Sequence, residues 1–190
     1  MIKAGSAETI LIVDPEICSG HLDFKDRDCH FIFGDVCTAM ILEKKSSSNS
    51  SNSFEILSTK CITQFSNNIR NNFGFLNNAK QSAPLDRDML FMQEGRKVFK
   101  EVVPMVSQLI LDHLSDETIE INNVKRLWLH QANKSMNDLI GKKVLGRTPE
   151  KDEQPNILQD YANTSSAGSI IAFSQYSKDM NKDEIGVLCS

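Results

Sequence analysis

Several familiar signatures are missing from this 190-residue sequence. No apolar stretch approaches the roughly 18 residues of a membrane-spanning helix, so no transmembrane segment is expected. The amino terminus, MIKAGSAETILIVD, carries one lysine and turns acidic straight after its apolar run. That is unlike a secretory signal peptide and fits a start inside an existing domain better. The five cysteines (Cys18, Cys29, Cys37, Cys61 and Cys189) are odd in number and include no CxxC pair, and the four histidines sit outside zinc-ligand spacing. A reducing, cytoplasmic setting without disulfides or structural metal is the expectation. A net charge of −4, with Lys and Arg scattered, offers nucleic-acid phosphates no general attraction. No internal repeat is evident.

What is present has the composition of a globular protein, with 40% hydrophobic and 24% charged residues. Such a chain can form a single domain over residues 1–190 or half of a larger two-lobed enzyme. Thr9–Val13 (TILIV) is a short β-branched run, predicted to be a strand buried on both faces. His30–Glu43 predicts a strand, a tight turn at Gly34-Asp35 and a second strand. Residues 46–53 (SSSNSSNS) have nothing to bury and form a flexible, solvated loop. Phe54–Thr63 predicts another strand, and the Asn-rich stretch Ser66–Asn78 a long surface or active-site loop. From Asp86 the period changes: Val98, Phe99, Val102, Val103, Val106, Leu109, Ile110 and Leu114 recur at three and four, an amphipathic helix that Pro104 should bend or divide. Lys125–His130 predicts a strand, and the stretch from Asn133 a helix that Asn133 can cap. A short helix or loop at Ile157–Tyr161, a helix at Ile170–Tyr176 and a strand at Ile185–Cys189 follow. Strands alternating with long helices predict an α/β fold, a layered mixed sheet with helices on both faces.

Two strand-to-helix corners hold chemistry-bearing side chains. His130 falls at the carboxyl end of a predicted strand, where open α/β sheets expose reactive groups. Asn163 begins a small-residue turn, NTSSAGS, that lets a ligand approach the backbone. As neutral donors converging on one oxygen, the pair could stabilise an enolate formed from a thioester. The residues alone equally allow a capped turn and a buried, hydrogen-bonded histidine.

His130-Gln131-Ala132-Asn133 resembles the HQAN motif of the ketoacyl synthase III family, and Asn163-Thr164-Ser165-Ser166-Ala167 its NTSxA motif. Phe31-Ile32-Phe33-Gly34-Asp35 is similar to the FGD strand-turn, and Gly95-Arg96-Lys97-Val98-Phe99-Lys100 to the segment that starts a long helix. The four occur in the family's order. The resemblance implies the C-terminal half of a thiolase-like fold, in an enzyme that normally works as a homodimer. It also implies a decarboxylative Claisen condensation. A cysteine in the other half takes an acyl group from acyl-CoA, malonyl on acyl carrier protein loses carbon dioxide, and the enolate attacks the acyl thioester. His130 and Asn163 would then stabilise the enolate. No cofactor is implied; coenzyme A or the carrier protein's phosphopantetheine serves as substrate carrier.

By the same resemblance, Asn133 matches a contact to the pantetheine arm, a role compatible with capping. Arg27 matches a position that stacks on the adenine of coenzyme A, against the alternative of an exposed ion pair. Lys134 is a candidate carrier-protein contact, although Ser135 occupies the family's usual basic place.

Departures accompany these matches. Phe33-Gly34-Asp35-Val36-Cys37-Thr38-Ala39 stands where FGDGAGA is usual, and Gly168 and Ile171 stand where the commoner pattern ends in Ser-Ile-Pro. None of the five cysteines lies at a small-residue helix start that would favour a thiolate. The chain also stops before the family's Gly-rich FGxG loop. The isolated chain is therefore expected to be inactive, and a non-catalytic dimerisation or binding partner of a complete synthase is the alternative. A thiolase or hydroxymethylglutaryl-CoA synthase relative would share the fold but use other motifs around the histidine.

Overall fold

Val124–Leu129 (β5) shows why this chain needs cover on two faces. Leu127 and Leu129 project one way and Trp128 the other, as alternation in a strand requires, and all three are buried. The computed structural model describes residues 1–71 and 89–190. Its further elements are the strands β1 (Thr9–Glu16), β2 (Val36–Glu43), β3 (Ile69–Arg70), β4 (Met92–Gln93) and β6 (Ile185–Cys189), and the helices α1 (Gly95–Asp116), α2 (Lys134–Leu145), α3 (Leu158–Tyr161) and α4 (Ala167–Gln175). Among the described residues they form three two-stranded ladders: β1–β2 antiparallel, β3–β4 antiparallel and β5–β6 parallel.

The α1 and α2 side of β5 holds the larger core. Val103, Ile110 and Leu114 of α1 meet Met136, Ile140 and Val144 of α2 over Leu127 and Leu129. Buried positions of α1 fall at 103, 107, 110 and 114, the three-and-four spacing of one helix face. Pro104 does not divide α1, which runs unbroken through it with the proline on its exposed side. On the other face of β5, Trp128 packs with Ile157, Ile171 and Ala172. The indole N–H donates to the Tyr176 carbonyl at 3.1 Å, and Phe173 meets the ring edge-on. Gly186 of β6 lies under that ring, where a Cβ would come within 2.2 Å of it. Buried Arg126 is held by the Asp179 carboxylate and by the Tyr176 and Asp152 carbonyls.

The hairpin region differs from its sequence reading in three respects. β1 is longer than predicted and pairs with β2 from Thr9–Glu43 to Glu16–Val36, yet its apolar residues stay open: Leu11 is 63% and Val13 53% exposed. Both-sided cover is absent. The first strand expected within His30–Glu43 does not form; residues 30–32 are turns, and Phe33 makes only a single bridge to Asn163. Phe54–Thr63 has no regular secondary structure and, among the described residues, joins no ladder. It is fastened to α1 through polar groups, Ser58 Oγ to His113 Nε2 at 2.7 Å and Lys60 to Asp116 at 2.5 Å, while Ile56, Leu57 and Ile62 face outward. Residues 46–53 are mostly irregular and exposed. Of the Asn-rich stretch, residues 72–78 lie outside the described residues, as does Asp86, from which the helical period was read.

Candidate active site

His130 directly follows β5, in a turn pinned from several sides. Gln131 is fully buried: its Nε2 donates to the Leu129 carbonyl at 2.8 Å and its Oε1 accepts the Ile157 N–H at 3.1 Å. Asn137 of α2 donates to the His130 carbonyl at 3.0 Å. Asn133 caps α2, its Oδ1 accepting the Met136 N–H at 3.1 Å. The backbone carrying His130 has little freedom left.

Asn163 is gripped by the FGD segment. Its N–H donates to the Ile32 carbonyl at 2.9 Å and its carbonyl accepts the Gly34 N–H at 3.0 Å. Gly34 allows this approach, since a Cβ there would stand 2.4 Å from the Tyr161 carbonyl. Asp35 is held in turn by the Ser19 N–H at 2.8 Å and the Ser19 hydroxyl at 2.5 Å, which keep its carboxyl below the ordinary value. The Asn163 Oδ1 accepts the Ser165 N–H at 3.0 Å, so the amide is oriented with Nδ2 as the remaining donor group. On either side of Asn163 the backbone is strained: Ala162 and Ser165 adopt φ of 59° and 52°, left-handed values that cost a non-glycine residue about 1 kcal/mol or more.

The two turns meet at Ser165. The Ser165 backbone close to the His130 ring favours ring protonation, as does the negative charge of Glu16. Burial opposes both and is the larger effect, holding the imidazole below its usual pKa and therefore neutral at neutral pH. Gly168 closes the same contact from α4, where a Cβ would lie 3.0 Å from the Gln131 Cβ. Ser166 is held from β1, its N–H donating to Glu16 at 3.1 Å and its hydroxyl lying 2.5 Å from Glu16 and 3.0 Å from Asp14. Gln131 and Glu16 were missed in the sequence because their partners lie 26 and 150 positions away.

The remaining candidates lie apart from this junction. Arg27 is exposed in the connection between β1 and β2, and Lys134 pairs with Asp138 at 2.7 Å along α2. Among the described residues, no hydrogen bond joins either to His130 or Asn163. Surface depressions of about 260 and 170 Å³ are lined by residues 111, 114, 115 and 118–121 and by Ile12, Val13, Asp14, Thr38, Met40 and Ile170; neither is lined by His130 or Asn163. Cys18 and Cys29 are buried. Burial, with Glu16 and Asp35 nearby, pushes the Cys18 thiol up to about 11, and burial raises Cys189 as well. Such thiols are poor nucleophiles. No group of three His, Cys, Asp or Glu residues among those described could hold a metal, and no described helix is long and apolar enough to cross a membrane.

Known proteins with this pattern are condensing enzymes. The sequence model of 3-oxoacyl-[acyl-carrier-protein (ACP)] synthase III matches residues 1–64, and that of the synthase III C terminal matches residues 114–190. A beta-ketodecanoyl-[acyl-carrier-protein] synthase of Pseudomonas aeruginosa is 58% identical over 189 residues, covering 100% of this chain and 54% of that protein. A beta-ketoacyl-[acyl-carrier-protein] synthase III of Streptococcus agalactiae is 29% identical, covering 92% of this chain and 51% of its own length. The chain spans about half the length of the curated relatives it matches. Among solved structures, the synthase III of Aquifex aeolicus superposes with a TM-score of 0.75 at 24% identity, over 94% of this chain and 51% of that one. That likeness shows the fold, a thiolase-like α/β arrangement, as expected. The motifs, their junction at Ser165 and these relatives agree: the chain belongs to the 3-oxoacyl-[acyl-carrier-protein] synthase III family.

Proposed function

We propose that this chain supplies the enolate-stabilising part of a condensing enzyme, which joins an acyl thioester to malonyl-acyl carrier protein with loss of carbon dioxide. Loss of the malonyl carboxylate leaves its electron pair on the α-carbon, and the resulting negative charge is shared with the thioester oxygen. The Asn163 Nδ2 would donate to that oxygen, a neutral His130 ring would do so with its single N–H turned to the oxygen rather than to Ser165, and the carbanion would attack the acyl carbonyl, expelling the nucleophile's thiolate. The observation carrying this reading is the Asn163 amide, whose Oδ1 takes the Ser165 N–H at 3.0 Å and leaves its donor group free, in a turn close enough to the buried His130 ring to act on it. In this scheme Asn133 would meet the pantetheine arm, Arg27 the adenine of coenzyme A and Lys134 the carrier protein, and the complete enzyme would work as a homodimer in the cytoplasm. The name of the Pseudomonas relative suggests a medium-chain product. Because each condensation adds two carbons, a ketodecanoyl product would call for an octanoyl acyl group.

The test is carbon dioxide release from malonyl-acyl carrier protein by an enzyme completed with a cysteine-bearing half. His130→Ala and Asn163→Ala should each lower it by about 10²- to 10³-fold, the usual cost of one oxyanion donor. Retention of full decarboxylation by both variants would refute the assignment. The purified chain alone should not condense acyl-CoA with malonyl-acyl carrier protein, and robust turnover would overturn that expectation. The exposed apolar residues of the hairpin favour one alternative, in which the chain is a binding partner of a complete synthase and does no chemistry.

A further inference from the structure

We propose that Glu16 is a positioning residue of the His130/Asn163 site, its carboxylate holding Ser166 so that strained Ser165 keeps its backbone against the His130 ring and its N–H on Asn163. The inference rests on the enolate-stabilising reading and adds to it a side chain from the far end of the chain.

Ser165 cannot hold its own conformation. Its φ of 52° is unfavourable for a residue with a Cβ, and such a conformation persists only where neighbours over-determine it. On one side the Asn163 Oδ1 takes the Ser165 N–H at 3.0 Å. On the other, Glu16 Oε1 takes the Ser166 N–H at 3.1 Å and lies 2.5 Å from the Ser166 hydroxyl. The Ser166 carbonyl accepts the Ser169 and Ser190 hydroxyls at 3.1 and 3.3 Å, which secures the far side of the residue.

Asp14 also reaches the Ser166 hydroxyl, at 3.0 and 3.2 Å, but makes no bond to the backbone there. A hydroxyl can rotate from one acceptor to another, whereas the backbone N–H bond fixes the peptide plane that follows Ser165. Glu16 makes that bond. Its place at the last residue of β1, just before the first turn of α4, also puts a negative charge where the helix dipole favours one. Among the described residues, Glu16 is the charged side chain acting on the His130 ring, and Asp14 is the other carboxylate at Ser166.

The experiment separates reach from charge. Glu16→Gln keeps the length and an acceptor oxygen but removes the charge; Glu16→Asp keeps the charge but falls short of Ser166. The readout is the pair of ring-nitrogen resonances of His130 in the ¹⁵N-labelled 190-residue chain at neutral pH, assigned by their loss in His130→Gln. Positioning predicts that the parent chain and Glu16→Gln show two well-separated resonances, one tautomer, while in Glu16→Asp they move toward each other as tautomers mix. A charge effect alone predicts the reverse pattern, and that result, or identical spectra in all three, overturns the proposal. The spectra need no turnover, so they are independent of the decarboxylation test: an intact Glu16 response with no effect of His130→Ala on decarboxylation would sink the enolate reading and leave the positioning role standing.

Discussion

The strand β5 and the strand β1 have similar apolar sequences and opposite fates. VKRLWL is covered on both faces by α1, α2 and α4, so five of its six residues are buried. TILIV pairs with β2 alone and leaves Leu11 and Val13 more than half exposed. The helices that cover β5 come from its own neighbourhood in sequence, whereas α4 reaches β1 only at the depression that Ile170 shares with Ile12 and Val13. Apolar character alone marks a strand that requires cover, and only the rest of the chain decides whether cover is present.

The sharpest way to break this contrast is to remove equal amounts of side chain from each region. Leu127→Ala should cost about 2–5 kcal/mol in urea unfolding, because the lost methyl groups leave a cavity between α1 and α2. Leu11→Ala should stay within about 0.5 kcal/mol. Comparable losses would show that the hairpin is packed after all. Gly34→Ala tests the seam between the regions, since its Cβ would strike the Tyr161 carbonyl. A destabilisation of about 1–3 kcal/mol is expected. Chemical-shift changes centred on Asn163 should accompany it, and an unshifted Asn163 would contradict the geometry.

Acid should distinguish the seam from the core. His130 is depressed in the folded chain, so the unfolded chain binds its proton first, and stability falls as pH drops through about 6.5 toward the lower folded value. Asp179 is lowered by Arg126 from 3.8 to about 2, so its contribution is intact above 3.8 and is lost only as pH falls from there toward 2. A stability profile measured against pH should show the two windows separately, and His130→Gln should flatten the upper one. The smallest effect is expected on the surface of α2, where Lys134→Ala removes an exposed pair worth a few tenths of a kcal/mol. A melting temperature lowered by many degrees would mean that Lys134 has a further structural partner.

Local signals were legible in the sequence and distant ones were not. Asn133 announced the start of α2 because a cap bonds three residues away, and Ile185–Cys189 matched β6 because a short β-branched run has few other uses. Phe54–Thr63 has the same propensity, but a strand also needs an edge to pair with, and propensity does not say where that edge lies. Gly34 was read as a tight turn, whereas its lack of a side chain serves a close approach to the Tyr161 backbone. At the candidate site, HQAN and NTSSA singled out His130 and Asn163. What joins them, Gln131 to Ile157 and Glu16 to Ser166, depends on folded proximity that no local pattern records.

The contact between Trp128 and Gly186 gives the protein a built-in optical gauge. Trp128 is the sole tryptophan of the sequence, sealed beneath a residue without a side chain and hydrogen-bonded through its indole. Its emission would shift to the red when β6 leaves β5 and water reaches the ring. The hairpin holds no tryptophan, so it could open without changing that signal directly. Fluorescence and backbone dichroism recorded on one sample would therefore read different parts of the same molecule, and any gap between their transitions would measure how far the two regions unfold apart.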